Sequence, residues 1–359
     1  MRFVLVLLAG LILVACGGPG QAGTRSTRSS SPMPGTSPIS PAPQSPSTSG
    51  HLGIVIKDFL VTGGSTYSAS LVDADGRLAI TVTGAKRTAR WAQMPNVSAS
   101  DSRLYYLDGD GKVMFVAPNG AKGVATTIPV DSNSVAAFSV SPDNSRIAVA
   151  IITIPFPAKT RIYVEDLAGG GHHVELYSSS EVMEWPLAWR QGNLVLGIGI
   201  NGAPQNTGEW FNYGYRGYHV VDAGTGARVA TVCDGNDAIA PPVPAGTACV
   251  GSSGHVISDW SGTTRAAPQD DGCGGGALSP NGSLVAICQG NPRGVVIVSA
   301  AGKTTTTGIQ ADPEGWIDQT HLVVRSDKDG SLIVLDTQTD QPTVLQAQGF
   351  FAGTLPGGL

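Results

Sequence analysis

The sequence predicts an all-β fold, a β-propeller of seven four-stranded blades closed by the N- and C-terminal strands. Short apolar runs separated by turn residues recur from residue 51 onward. Their spacing is close to the roughly 40–45 residues of a four-stranded blade. The 48 Gly and 24 Pro among 359 residues suit a protein made of turns and short strands. The predicted units are 53–92, 96–130, 134–178, 184–233, 238–268, 274–309 and 314–347.

The chain begins with the features of a signal peptide. Met1 and Arg2 precede an apolar run from Phe3 to Val14, which is too short to span a bilayer permanently. One interpretation is an ordinary secreted protein with a simple cleavage site. However, Leu13-Val14-Ala15-Cys16 resembles the lipobox of bacterial lipoproteins.

This resemblance implies that residues 1–15 are removed and that Cys16 is diacylated, with palmitate among the acyl groups, as the first mature residue. Two acyl chains are enough for stable membrane attachment. We therefore expect a lipid-anchored protein on the extracytoplasmic side of the bacterial cell membrane, with the membrane as a partner through the lipid on Cys16.

Residues 16–50 form a linker rich in Pro, Ser and Gly. The 34 residues from Gly17 to Gly50 cannot bury apolar surface, so we predict a disordered tether with a mean reach of about 30 Å. Residues 51–359 then make up a single propeller domain.

The clearest unit of the propeller runs from Val135 to Gly171. It contains a strand, the turn Ser141–Ser145, the apolar strand Arg146–Ile151, a loop, and the strand Arg161–Leu167, which is followed by glycines. Weaker copies of this pattern fill the rest of the domain. They predict repeated hairpins rather than helices.

The last residues of the chain resemble the opening of a unit. Gly349–Gly358 is similar in pattern to Gly276–Gly282, although no further strands follow it. We predict that it supplies the innermost strand of the first blade, whose later strands come from Tyr67–Asp73 and Arg77–Thr83. Closure of this kind removes the exposed edge of an open array.

Two segments resemble the repeats of TolB-type propellers, a WD-repeat-like architecture. They are Ser141–Ala148 followed by Ile162–Gly170, and Ser279–Ala286. The resemblance implies an extracytoplasmic binding or scaffold protein. Because such repeats identify a fold better than an activity, function has to be argued from sites.

Four cysteines follow Cys16: Cys233, Cys249, Cys273 and Cys288. In an oxidising compartment an even number predicts disulfides. If Leu278 faces Ser283 across a hairpin, Cys273 lies opposite Cys288, and Cys233 is left to pair with Cys249. Buried free thiols are the alternative, and the absence of Cys-x-x-Cys spacing argues against zinc.

The sequence lacks the marks of several functional classes. The net charge is −5 with no basic cluster, so we expect no nucleic-acid partner. Three Asp-x-Asp-Gly segments, at 73–76, 108–111 and 327–330, predict hairpin turns; calcium binding is the alternative. Adjacent His172 and His173 point to opposite faces of a strand and are not expected to share a metal. No catalytic residue, metal site or cofactor is predicted.

One long insertion stands out in the fourth unit. Asn201–Gly217 contains Trp210, Phe211, Tyr213, Tyr215 and Arg216. The third unit has an extended segment with Phe156, Thr153–Lys159, at the same connection. Both lie on one face, so we predict a recognition patch for a protein or carbohydrate partner. The alternative is that the aromatic rings fold inward and cap the core.

Two functions of different class follow. The first is a membrane-anchored binding or scaffold module of the cell envelope, expected to be monomeric. The second is a propeller hydrolase or lyase acting on envelope glycans. The second needs carboxylates about 5–9.5 Å apart in the central channel.

Overall fold

The computed structural model describes residues 50–58, 64–87, 96–153, 159–199, 216–234, 237–238, 241–251, 254–269, 276–290 and 293–359. The predicted signal peptide and lipidation site, Cys16, and the linker up to residue 49 lie outside these ranges. Within them, no helix is long and apolar enough to cross a membrane.

The described residues form seven antiparallel sheets of four strands each, arranged as a seven-bladed β-propeller. The predicted fold is therefore confirmed. Blade 1 contains β1 (Leu52–Lys57), β2 (Thr66–Val72), β3 (Leu78–Ala85) and β28 (Phe350–Leu355); blade 2 contains β4 (Val97–Ala99), β5 (Leu104–Asp108), β6 (Lys112–Val116) and β7 (Lys122–Thr127); blade 3 contains β8 (Ser134–Val140), β9 (Arg146–Thr153), β10 (Lys159–Asp166) and β11 (Val174–Ser179). Blade 4 contains β12 (Met183–Arg190), β13 (Asn193–Gly199), β14 (Tyr218–Asp222) and β15 (Arg228–Val232); blade 5 contains β16 (Asp237–Ala238), β17 (Thr247–Gly251), β18 (Gly254–Ser258) and β19 (Thr264–Ala266); blade 6 contains β20 (Ala277–Leu278), β21 (Leu284–Gln289), β22 (Gly294–Ser299) and β23 (Thr304–Thr306); blade 7 contains β24 (Ala311–Trp316), β25 (His321–Ser326), β26 (Leu332–Asp336) and β27 (Gln341–Val344).

The ring closes as the sequence predicts. In blade 1 the strand order is β28-β1-β2-β3, so the C-terminal strand is innermost. Leu52 lies opposite Leu355 and Ile56 lies opposite Phe350. The buried side chains of β1 thus depend on a strand that is about 300 residues away in the sequence.

Arg325 of blade 7 holds the closing strand in place. Its guanidinium pairs with Glu314 at 2.7 Å, donates to the Gly349 carbonyl at 2.9 Å and lies 4.6 Å from the centroid of the Phe350 ring. Burial raises the pKa of the Glu314 carboxyl, while Arg325 opposes that rise. Beside them Gly315 makes room for Phe351, because a Cβ at that glycine would lie 2.5 Å from the ring.

Indole groups connect neighbouring blades near the axis. Trp189 Nε1 donates to the Ser139 carbonyl at 3.1 Å, and Trp316 Nε1 donates to the Ala277 carbonyl at 2.9 Å. In both cases the tryptophan lies on the first strand of its blade and the acceptor on the first strand of the preceding blade. Both indoles are buried, so each adds apolar area and a satisfied hydrogen bond at a blade junction.

The three Asp-x-Asp-Gly segments are tight turns between consecutive strands, as predicted. At the first of them the Gly76 amide donates to the Asp73 carbonyl at 3.0 Å, and the Arg77 amide donates to Asp73 Oδ1 at 2.8 Å. Gly76 has φ +77°, which a side chain would make unfavourable. Across the described ranges, no group of three or more His, Cys, Asp or Glu side chains is placed to hold a metal ion.

Cys233 and Cys249 form the predicted disulfide, with Cα atoms 5.6 Å apart. Cys233 follows the last strand of blade 4 and Cys249 lies on β17 of blade 5, so the bond links two blades. For a loop of this size such a link contributes about 3 kcal/mol in the chain-entropy account.

The register used to pair the other two cysteines is wrong. Leu278 lies opposite Val285 rather than Ser283. The reason is that Ser279 ends the first strand: its amide donates to the Leu284 carbonyl and its hydroxyl accepts from the Leu284 amide. Cys273 lies outside the described residues, and its pairing with Cys288 stays a prediction.

Removal of residues 349–359 should destabilise the domain far more than its length suggests. The deletion takes away β28 and leaves one edge of β1 unpaired, with Leu52, Ile54 and Ile56 uncovered. We expect a loss of cooperative unfolding in guanidinium, together with aggregation on size exclusion. Val344→Ala, on an exposed residue of β27, is the control and should stay within about 0.5 kcal/mol of wild type. Unfolding of the truncated chain at the wild-type midpoint would contradict this.

Candidate binding face

The ring has two faces that differ in their connections. Because successive strands are antiparallel, the turns after the first and third strands of every blade lie on one face, which we call the hairpin face; Ser141–Ser145 is an example. The turns after the second strands and the links between blades lie on the other, the crossover face. β1 is the second strand of its blade, so His51 enters at the hairpin face.

The two enlarged connections flagged in the sequence both start and end on the crossover face. Thr153 and Lys159 flank one of them in blade 3, and Gly199 and Tyr218 flank the other in blade 4. Phe156, Trp210, Phe211, Tyr213 and Tyr215 lie outside the described residues. Their assembly into a patch therefore stays a prediction.

Arg216 is the one candidate residue of this patch within the described ranges, and it is exposed. Its amide donates to the Ile198 carbonyl at 2.8 Å. The next residue, Gly217, has φ +98°, and a Cβ there would lie 2.6 Å from the Val232 carbonyl oxygen. The return of the insertion into β14 therefore requires glycine, which fixes the point where Arg216 emerges.

A buried acid–imidazole pair lies near these strand ends. Glu184 on β12 is 2% exposed and His219 on β14 is 8% exposed, and Oε1 of the first hydrogen-bonds Nδ1 of the second. In blade 3 the pKa of Tyr177 is raised, mainly by burial and to a smaller extent by the nearby charge of Glu184.

The sequence interpretation missed His219. His219 lies in a mainly apolar stretch, Tyr218-His219-Val220-Val221. A histidine in a strand of this kind indicates a buried hydrogen-bond partner on another strand. Glu181, three positions before Glu184, is exposed and is not part of the pair.

A cavity of about 180 Å³ lies on the axis of the propeller, and the residues that line it bear on the glycan hydrolase alternative. The described residues that line it include no Asp and no Glu. A pair of carboxylates flanking a glycosidic bond, which that chemistry requires, is thus absent from the described wall. The hydrolase or lyase alternative is not favoured.

His172 and His173 lie on the outer part of blade 3 and contact different carboxylates. His172 Nδ1 is 2.9 Å from Asp166, whereas His173 lies between Glu165 at 2.9 Å and Glu175 at 3.1 Å. Hydrogen bonds to Glu165 and then Glu175 raise the pKa of His173. The cluster is exposed and serves to join β10 to β11.

Comparison with known proteins gives likeness of fold alone. No family model and no curated protein matches the chain. Among solved structures it is similar to apo AztD from Citrobacter koseri, with 14% identity, 84% of each chain covered and a TM-score of 0.41. It is also similar to a protein from Lactobacillus plantarum, with 13% identity, 85% of this chain and 99% of that one covered, and a TM-score of 0.40.

Glu184→Leu should lower the free energy of unfolding by about 1–3 kcal/mol, because His219 loses its buried hydrogen-bond partner. Urea unfolding measures the change. The control is Glu181→Leu, on an exposed neighbour. The double variant Glu184→Leu/His219→Phe should recover part of the loss, since neither polar group then remains. Equal losses for Glu184→Leu and Glu181→Leu would show that the pair contributes nothing.

His173→Gln should lower stability at acid pH only. The folded pKa of His173 is raised, so its stabilisation is complete below the ordinary value of 6.5 and is lost as the pH rises through the folded pKa. The difference in unfolding free energy between wild type and variant, followed against pH, measures this. In a Glu165→Gln/Glu175→Gln background the difference should become much flatter. A difference that grows toward alkaline pH would refute the assignment.

Proposed function

We propose that this protein is a membrane-anchored, extracytoplasmic binding or scaffold module of the bacterial cell envelope. In this proposal it is held by the lipid on Cys16 and presents its crossover face to a protein or carbohydrate partner. The TolB-like repeats and the lipobox-like sequence Leu13–Cys16 support the location.

The observation that carries the proposal is the opposition of the two faces. The chain enters the propeller at His51 on the hairpin face, whereas the strand ends that flank both enlarged connections lie on the crossover face. A domain tethered through residue 50 can therefore turn the crossover face away from the membrane. The linker reach of about 30 Å leaves room for a partner there.

The composition of the insertion supports a macromolecular partner. Four aromatic residues and Arg216 occur within seven positions, 210–216, and such residues dominate the energetics of protein interfaces. This insertion in blade 4 and the enlarged connection of blade 3 belong to adjacent blades, so residues from both can contact the same partner.

The double variant Trp210→Ala/Tyr215→Ala tests the proposal. We expect it to fold like wild type, since both residues lie in a connection between strands, but to lose the partner that co-purifies from gently solubilised membranes. Val229→Ala is the matched control, because Val229 is 58% exposed on β15 of the same blade. Undiminished recovery of the same partner by the double variant would rule out the patch.

Cys16→Ser separates anchoring from recognition. We expect this variant to leave the membrane fraction but to bind the partner identified above in solution. A protein that stays in the membrane fraction without Cys16 would refute the lipid anchor.

A further inference from the structure

The axial cavity occupies the half of the channel that is nearer the hairpin face. Its described wall includes His51, Pro280 and the segment Pro356–Leu359, which all belong to that face. The segment crosses from blade 1 toward blade 4: the Gly357 amide donates to the Ser100 carbonyl at 2.7 Å, and the Leu359 amide donates to the Trp189 carbonyl at 2.8 Å. The cavity thus lies opposite the crossover face.

Small residues on the innermost strands leave this space open. Ala99, Ala188 and Ala352 line it on three different blades, and a Cβ placed on Gly353 would meet no atom within 4 Å. Larger apolar side chains, Leu187, Ile317 and Phe351, complete the wall. The space therefore comes from the sequence of the inner strands and is not a packing defect at one position.

The wall is mainly apolar. Two of its polar groups are already paired, since Trp316 Nε1 donates to the Ala277 carbonyl and the Ser98 hydroxyl accepts the Val140 amide at 2.9 Å. Among the described lining residues, His51 has the one ionisable side chain, and it is exposed. A cavity of this size with a mainly apolar wall favours an apolar occupant over ordered water.

We propose that this cavity is a binding site for a small, neutral, apolar molecule with the size of a single six-membered ring or slightly more. An apolar cavity of about 150 Å³ in another protein takes up benzene, and the 180 Å³ here is comparable. Apart from the exposed His51, the described wall has no ionisable side chain to pair with a charged ligand, so a neutral one is favoured. The site is independent of the crossover face, and its failure would leave the proposed function intact.

Toluene is the probe, added to the full-length Cys16→Ser chain without detergent. We expect a saturable rise in the melting temperature, because binding to the folded state alone stabilises it. Methyl NMR should show shifts at Ile317 and Leu187, which line the cavity, and none at Leu78, which is 43% exposed on β3.

Ala352→Leu fills the cavity and should abolish both responses, whereas Ala301→Leu, on an exposed turn, should keep them. If Ala352→Leu does not fold, Ala188→Leu provides the same test from another blade. Absence of a saturable effect in wild type, or an equal effect in the cavity-filled and control variants, would overturn the proposal.

Discussion

The pairing of β28 with β1 is the interaction on which the rest of the fold depends. A row of blades exposes one sheet face and one edge at each end, and closure removes both. Here closure relies on backbone hydrogen bonds between the two ends of the domain and on contacts at Phe350 and Phe351. Arg325 adds a polar component, because it binds Glu314 on its own blade and the Gly349 carbonyl on the closing segment. Blade 7 therefore recognises the last strand through both packing and hydrogen bonding.

Between the blades, the structure combines a mainly apolar interior with a small number of directed polar contacts. Trp189 and Trp316 each bury an indole while donating to a carbonyl of the preceding blade, and the Val140 amide is satisfied by the Ser98 hydroxyl. Such contacts fix the angle between neighbours, since each needs one specific geometry. Because these contacts between inner strands fix the angles, the connections on both faces can vary in length and composition without affecting the ring. The two enlarged connections, in blades 3 and 4, are examples of such variation.

Much of the architecture could be predicted from the sequence, because strand alternation and turn residues are local signals. The seven units, the innermost position of Gly349–Gly358 and the Cys233–Cys249 disulfide are confirmed. The predicted hairpin register in blade 6 was wrong by two residues, because Ser279 pairs with Leu284 through both its amide and its hydroxyl, and the turn therefore spans residues 280–283. That detail depends on one serine and has no signature in hydrophobic periodicity. The Cys233–Cys249 pair was predicted correctly, although the elimination that led to it started from an incorrect register for the blade 6 hairpin.

The buried Glu184–His219 pair could not be inferred for a related reason. Its members are separated by 35 positions and lie on β12 and β14, on either side of β13. Only the three-dimensional order of the strands brings them together. The candidate patch presents the reverse case: its composition is evident in the sequence, whereas Trp210 and its aromatic neighbours lie outside the described residues.

The point of entry at His51 also has a mechanical consequence. β1 runs from that residue toward the crossover face, with β28 on one side and β2 on the other. A force applied at His51 along the strand would therefore load both rows of β1 hydrogen bonds at the same time, in shear. The propeller is thus entered through a strand that is held on both sides, a geometry that resists extraction better than an edge strand.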